Sequence, residues 1–269
     1  MKFIYRIARM LILICCVYAV VRICVCDRFI VRGESMNPTF RDGEAVYVNK
    51  LIFGGRIYKD LDFTKSKLNS FRLPGLRDIR VGDVLMLNYP YARSKDTINF
   101  KINHVYLKRC LGRPGDTVRI VDGFYINPGT GKRMLCNEFS NLLNETTDSI
   151  LVKQGVVVNA FQINKSLEWT IRNFGPFYIP AKGSKVCLTP SNYKNYKKQI
   201  RYETGYNLEL EGGSLKLGNC TIESYTFKTN WYFMGGDNVL NSKDSRYFGL
   251  VPEEYIIGVV KNGVKRFND

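Results

Sequence analysis

The sequence predicts a mainly β fold in which one N-terminal transmembrane helix precedes a β-sheet core that carries a large inserted lobe. Three observations carry this expectation. A single apolar run near the N-terminus is long enough to span a bilayer. Short segments rich in β-branched and aromatic residues, bounded by Gly, Asp, Asn and Pro, recur after it. Helical periodicity is scarce elsewhere.

The apolar run is MLILICCVYAVVRICVC, residues 10–26, interrupted only by Arg22. At about 1.5 Å of rise per helical residue, the run and its flanks cover a hydrocarbon core of roughly 30 Å. Arg22 lies near one end, where its stem can snorkel to the interface. Lys2, Arg6 and Arg9 precede the run and favour a cytoplasmic N-terminus, although Arg22, Arg28 and Arg32 follow it closely. A cleaved secretory signal has the same basic start and apolar middle. The exit Cys-Val-Cys-Asp-Arg lacks the small-x-small pattern such cleavage needs, so the run reads as an anchor.

Strands are expected at AVYVNKLIF (45–53), DVLMLNY (83–89), HVYLKRCLG (104–112), TVRIVDGFYI (117–126) and NWYFMGG (230–236). EYIIGVVKNGVKRF (254–267) reads as two strands around an Asn-Gly turn. Residues 189–200, TPSNYKNYKKQI, suit one short helix with Pro190 in its first turn. Residues 127–229 are richer in Asn, Thr and Lys and poorer in long apolar runs, which suggests a separately packed lobe. The chain thus divides into 1–29 (N-terminus and anchor), 30–126 and 230–269 (two parts of one β core) and 127–229 (inserted lobe).

Forty Lys and Arg against 24 Asp and Glu give a formal charge of +16. The bases are scattered, and no zinc-finger spacing, basic-zipper arrangement or RNA-binding aromatic signature accompanies them. The excess therefore points to an anionic membrane surface and not to nucleic acid. Of the eight cysteines, Cys15, Cys16, Cys24 and Cys26 belong to the anchor; Cys110, Cys136, Cys187 and Cys220 allow three full disulfide connectivities, and no C-x-x-C pair suggests a metal site.

The chain holds one histidine, His104, and no G-x-S-x-G elbow, so a Ser-His-Asp hydrolase has little support. A serine activated by a lysine is the alternative. An apolar site disfavours the ammonium, and the neutral amine can then take a serine proton near pH 7. Lys108 sits inside the apolar strand VYLKRCL, with Arg109 pointing to the opposite face. Read alone, this segment also fits an edge strand with two snorkelling bases. Ser35, between Gly33 and Pro38 in RGESMNPTF, is the serine candidate, in what is otherwise an ordinary turn. In GGDNVLNSKDSRYFGLVP (235–252), Asp244 and Arg246 are placed to pair or brace a site, and Ser242 to bond a lysine amine.

Together these segments resemble the bacterial type I signal peptidase family. Ser35-Met36-x-Pro38-Thr39 is similar to the family's nucleophile box, and DGEAVYVNKLIFGGRIY (42–58) to the stretch immediately after that box. IRVGDVLMLNYP (79–90) is similar to the next box, YLKRCLGRPGD (106–116) to the lysine box, and GDNVLNSKDSRYFG (236–249) to the last. The resemblance covers 31–58, 79–126 and 230–262. It implies a serine endopeptidase with Ser35 as nucleophile, Lys108 as general base, Arg109 in a structural role, Ser242 orienting Lys108, and Asp244 with Arg246 supporting the site. It implies no cofactor and no metal. The substrate would be an exported preprotein, lying extended against Ile30, Val31 and Arg32 on one side and His104, Val105, Tyr106 and Leu107 on the other, with Met36 beside it. Small residues are expected at the first and third positions before the cut.

Two departures stand out. Gly33 replaces a serine that in some members helps bind the oxyanion, which leaves the Ser35 N–H as main donor; Val239 replaces a frequent arginine, at the expected expense of a surface contact only. His104 lies about 13 Å along the strand from Lys108 and is expected to be a surface or packing residue. The implied location is the bacterial inner membrane, single-pass, with the catalytic domain extracytoplasmic. The phospholipid bilayer is one expected partner and the translocation machinery a further candidate. Ser35 follows the anchor by fewer than ten residues, at the level where a signal peptide's cut site emerges. The alternatives are a processing protease dedicated to one pilus or conjugation substrate, and a membrane-tethered binding protein without catalysis.

Overall fold

The structure is a computed structural model that describes residues 1–60, 62, 68–94, 96–160 and 168–261. Helix α1 (Lys2–Val20) runs on through a π-helical turn, Val21–Val25, into strands β1 (Cys26–Ile30), β2 (Ala45–Asn49), β3 (Arg56–Tyr58), β4 (Ser70–Arg72), β5 (Val84–Asn88) and β6 (Val105–Gly112). Next come β7 (Thr117–Val121), β8 (Phe124–Ile126), β9 (Arg133–Met134), α2 (Glu138–Glu145), α3 (Asp148–Lys153), β10 (Phe174–Tyr178), β11 (Lys185–Cys187) and α4 (Tyr193–Thr204). The chain closes with β12 (Leu208–Glu211), β13 (Ser214–Leu217), β14 (Cys220–Thr221), β15 (Ser224–Thr226), β16 (Trp231–Gly235), α5 (Ser245–Phe248), β17 (Val251–Pro252) and β18 (Ile256–Lys261).

Among the described residues one helix, Phe3–Val25, is long and apolar enough to cross a membrane, and none of its 18-residue apolar window is buried against the rest of the protein. An all-round apolar surface of this kind has no place in water and fits a single-pass membrane anchor.

A seven-stranded sheet in the order β1-β2-β18-β5-β6-β16-β17 organises the remainder. Its alternating side chains divide the apolar interior. Val84 and Met86 of β5 and Leu107 of β6 join Val31, Met36, Phe40, Val46 and Val48 on one face. Leu85, Leu87, Cys110 and Leu111 join the larger cluster on the other. Edge-side β2 reads half-buried, with Val46 and Val48 inside and Tyr47 outside, whereas central β5 and β16 are buried throughout. Along β6, β5 pairs with Val105–Arg109, but β16 pairs only with Arg109, Cys110 and Gly112. On that side the backbone edge of Val105–Lys108 is open among the described residues.

Several expectations are refined. Residues 117–126 form a hairpin, with Asp122 and Gly123 at φ 51° and 81° in the turn that pairs Val121 with Phe124; two successive positive-φ residues are what an Asp-Gly hairpin turn requires. The helix expected from Thr189 begins at Tyr193 because the Thr189–Asn192 turn is closed by hydrogen bonds of its own, Asn192 Oδ1 accepting from Thr189 N–H. That helix runs on to Thr204 and stops at Gly205 in the left-handed conformation. Of the expected C-terminal hairpin, β18 is the first strand; the Asn-Gly turn and second strand lie outside the described residues. The segment 127–229 is joined to the sheet core by pairing and by ring contacts. Its β10 pairs with β7, and Phe174 and Phe177 pack on Phe233 of β16 with ring centroids 5.5 and 6.4 Å apart. All eight cysteines are free. Val239 is 1% exposed and belongs to the larger core. An apolar side chain there fills the interior, so the expectation of a lost surface contact is corrected.

Candidate active site

Ser35 and Lys108 meet although 73 residues separate them in the chain: Lys108 Nζ donates to Ser35 Oγ at 2.5 Å. Each is delivered by a different device. Lys108 stands on the β6 face that carries Tyr106 and Cys110, and is 3% exposed. Ser35 sits in the turn after β1, fixed by the Met36 side chain below it (1% exposed) and by Asn238 N–H, which donates to the Ser35 carbonyl at 3.1 Å. Among the described residues no protein group accepts from the Ser35 N–H, which is left available to a ligand.

Burial lowers the Lys108 ammonium to about 8; the nearby Asp244 carboxylate opposes that shift, Arg246 adds to it, and Asp237 opposes it weakly. About a tenth of the side chain is therefore the free amine at pH 7, at hydrogen-bond distance from a hydroxyl.

Two ion pairs brace the site. Asp244 and Arg246 are both fully buried and meet through two parallel hydrogen bonds of 2.9 Å. Burial alone would push the Asp244 carboxyl up; the Arg246 charge and hydrogen bonds, with the Gly236 N–H, outweigh it and hold it below its usual value. Arg109, on the opposite face from Lys108, pairs with Asp237 at 2.7 and 2.5 Å and donates to the Gly82 carbonyl at 2.8 Å. Thr39, four residues after Ser35, also donates to Asp237. The nucleophile turn, the lysine strand and the last loop are thereby tied through one carboxylate. Ser242 is buried beside Asp244 and helps keep that carboxylate ionised, but its Oγ makes no hydrogen bond to Lys108. Gly236 is packed so closely that a Cβ there would stand 2.2 Å from Ser242 Oγ and 2.5 Å from the Ser35 carbonyl oxygen.

A cleft of about 610 Å³ opens onto this pair. Ile30, Val31, Arg32, Met36, Val105, Tyr106 and Leu107 all line it. His104 lines its rim, its ring 5.3 Å from that of Tyr89, and burial with the charges of Lys101 and Lys243 lowers its pKa. Gly33 adopts φ +80°, and a Cβ there would meet nothing within 4 Å.

Asp237, Thr39 and Gly236 were not singled out from the sequence. The signal for Asp237 was Arg109 itself: a second base on the lysine strand needs a carboxylate partner, and the loop that supplies Asp244 also contains Asp237.

The family model described as "Signal peptidase, peptidase S26" matches residues 4–264. Signal peptidase I of Buchnera aphidicola subsp. Schizaphis graminum is 28% identical over 240 residues, covering 89% of this chain and 68% of that relative. Signal peptidase I of Pseudomonas aeruginosa is 26% identical over 89% of this chain and 64% of its own length. Signal peptidase I T of Bacillus subtilis is 25% identical over 90% of this chain and 76% of its own. A crystal structure of a signal peptidase I from Enterococcus faecalis matches with a TM-score of 0.28 and 19% identity, covering 68% of this chain and 97% of that one. With a family model matched along almost its whole length, the chain belongs to the signal peptidase family, peptidase S26.

Proposed function

We propose that this serine endopeptidase cleaves signal peptides from preproteins with Ser35 as nucleophile and Lys108 as general base. The observation that carries this reading is the 2.5 Å approach of Lys108 Nζ to Ser35 Oγ, with the lysine buried and its ammonium disfavoured. Ser35 Oγ attacks the scissile carbonyl while Lys108 Nζ takes its proton. The ammonium then protonates the leaving amine, which departs, and the signal peptide remains as an ester on Ser35. A water that gives its proton to the regenerated Lys108 amine hydrolyses that ester. The unengaged Ser35 N–H is the donor for the developing oxyanion.

The signal peptide lies extended in the cleft, adding its backbone to the open edge of Val105–Lys108 and to the Ile30–Arg32 segment opposite. Met36 and Leu107 form the floor beneath the residue before the cut. Asp244, Arg246 and Arg109 hold the loop and strand in register. The N-terminal bases favour a cytoplasmic start, with the catalytic domain extracytoplasmic at a bacterial inner membrane.

Cleavage of a preprotein bearing an Ala-x-Ala site in lipid tests the reading. Wild type should cleave it, and folded Ser35→Ala and Lys108→Ala should each lose at least about 10³-fold in kcat/KM. Retained activity in Lys108→Ala with loss in His104→Ala would move the base to His104.

A further inference from the structure

A second cavity, of about 530 Å³, lies where the anchor meets the sheet. It takes no part in the chemistry above. Its polar walls are Tyr18 and Arg22 from the end of the span, Asp27 of β1, Lys50 and Arg56. Three cations thus face one carboxylate, and that carboxylate is already engaged twice. Arg22 approaches Asp27 at 2.6 Å and Lys50 approaches it at 3.5 Å. Lys50 Nζ also donates to the Arg22 carbonyl at 2.6 Å, a contact that ties the sheet to the exit of the span.

Arg56 is left without an ionic partner. It is 7% exposed, and its guanidinium donates only to neutral oxygens: the Glu254 carbonyl at 2.8 Å, the Tyr58 hydroxyl at 2.7 Å and Asn88 Oδ1 at 2.9 Å. Among the described residues no carboxylate lies within ion-pair distance of it; the Glu254 carboxylate accepts from Tyr202 instead. A guanidinium does not shed its proton, so this is a permanent buried charge whose desolvation nothing in the protein offsets in full. Burial also lowers the Lys50 ammonium. A site with two cations in excess, one of them buried and lacking a counter-ion, suits a phosphate diester, which a fork of arginine N–H groups recognises directly.

The position selects the source of the phosphate. The 23-residue span Phe3–Val25 sets the cavity beside its own C-terminal end, at headgroup depth. Ala19, Ile23 and Phe29 supply an apolar side toward the anchor. The volume is in the range that holds a glycerophosphate group. We propose that this cavity binds the phosphate of an anionic phospholipid headgroup, held by Arg56 and Lys50 and closed on the outer side by Arg22. The inference rests on the membrane anchoring proposed above. Asn103 and Val105 line both this cavity and the catalytic cleft, so an occupant braces the open edge of β6 from behind.

The full-length protein in a phosphate-free maltoside detergent provides the test. Titration with dihexanoyl phosphatidylglycerol should raise its thermal midpoint saturably, and the apparent Kd should weaken at least about tenfold in Lys50→Gln and in Arg56→Gln. Lys50→Gln alone decides the matter if Arg56→Gln does not fold. Absence of a saturable shift in wild type, or an unchanged Kd in folded Lys50→Gln, overturns the site. An equal shift from inorganic phosphate at the same concentration overturns the lipid source. Flotation of the wild type with vesicles reads the anchor separately: protein that floats but shows no shift has lost only the headgroup site.

Discussion

Burial brings the Lys108 ammonium from 10.5 to about 8 because β6 places its Nζ among apolar neighbours, with Asp244 and Asp237 acting the other way. The folded protein accordingly binds fewer protons than the unfolded chain between those two values. Stability rises with pH across that window, and below about pH 8 the folded state carries a penalty of about 3 kcal/mol. Two outcomes are expected at this scale. The kcat/KM of the wild type should climb about tenfold per pH unit up to about 8 and then level off, in a pH–rate profile on a peptide substrate; an inflection below the ordinary imidazole range would instead implicate His104. Lys108→Met should abolish cleavage yet raise stability at pH 7 by about 1–3 kcal/mol, in urea unfolding. Lys108 was legible in the sequence because a lysine amid VYLKRCL contradicts its surroundings. Ser35 was legible only through its motif, since a serine in a turn is locally ordinary. Asp237 was hidden for a physical reason: its role is fixed by Arg109 and Thr39, 128 and 198 residues away.

At the scale of elements, the loop after β16 does the positioning. Gly236 lets that loop lie against the nucleophile turn, and no side chain fits between them. Gly236→Ala should lower kcat about 10²-fold by displacing Ser35 and Ser242, with a smaller effect on KM and a stability loss of about 1–3 kcal/mol. Steady-state kinetics beside a thermal melt separate the two effects. Asp244→Asn should destabilise by about 3–5 kcal/mol, because Arg246 stays buried without its carboxylate. Asp244→Asn combined with Arg246→Met should recover part of that loss, in a double-mutant cycle by urea unfolding. The strands were readable from alternation and turn residues, as β2 and β7 illustrate. Helices α2 and α3, of eight and six residues, escaped because one or two turns carry too little periodicity to register. The lobe looked separate in composition, but its buried apolar residues are spaced singly along the segment, and Phe174 and Phe177 pack on Phe233 of the main sheet.

For the whole molecule, a formal charge of +16 accompanies an N-terminal helix long and apolar enough to cross a membrane. Cleavage of a preprotein in vesicles rich in anionic lipid should fall as salt is raised from about 50 to about 500 mM, whereas cleavage of a short peptide in detergent should change little. A fall of the same size in both would locate the effect in the active site instead. The open edge of β6 has a different consequence, one of distance. Among the described residues Val105–Lys108 is unpaired on that side, so the strand offers about 13 Å of edge. The same four residues wound as helix would rise only about 6 Å. A preprotein that adds to this edge as proposed would unwind about one turn of its hydrophobic helix to reach Ser35, and the ease of that unwinding would sort precursors before any side chain is read. A precursor whose helix continues unbroken through the cut would be protected by its own backbone hydrogen bonds, and mature membrane proteins would escape cleavage on the same ground.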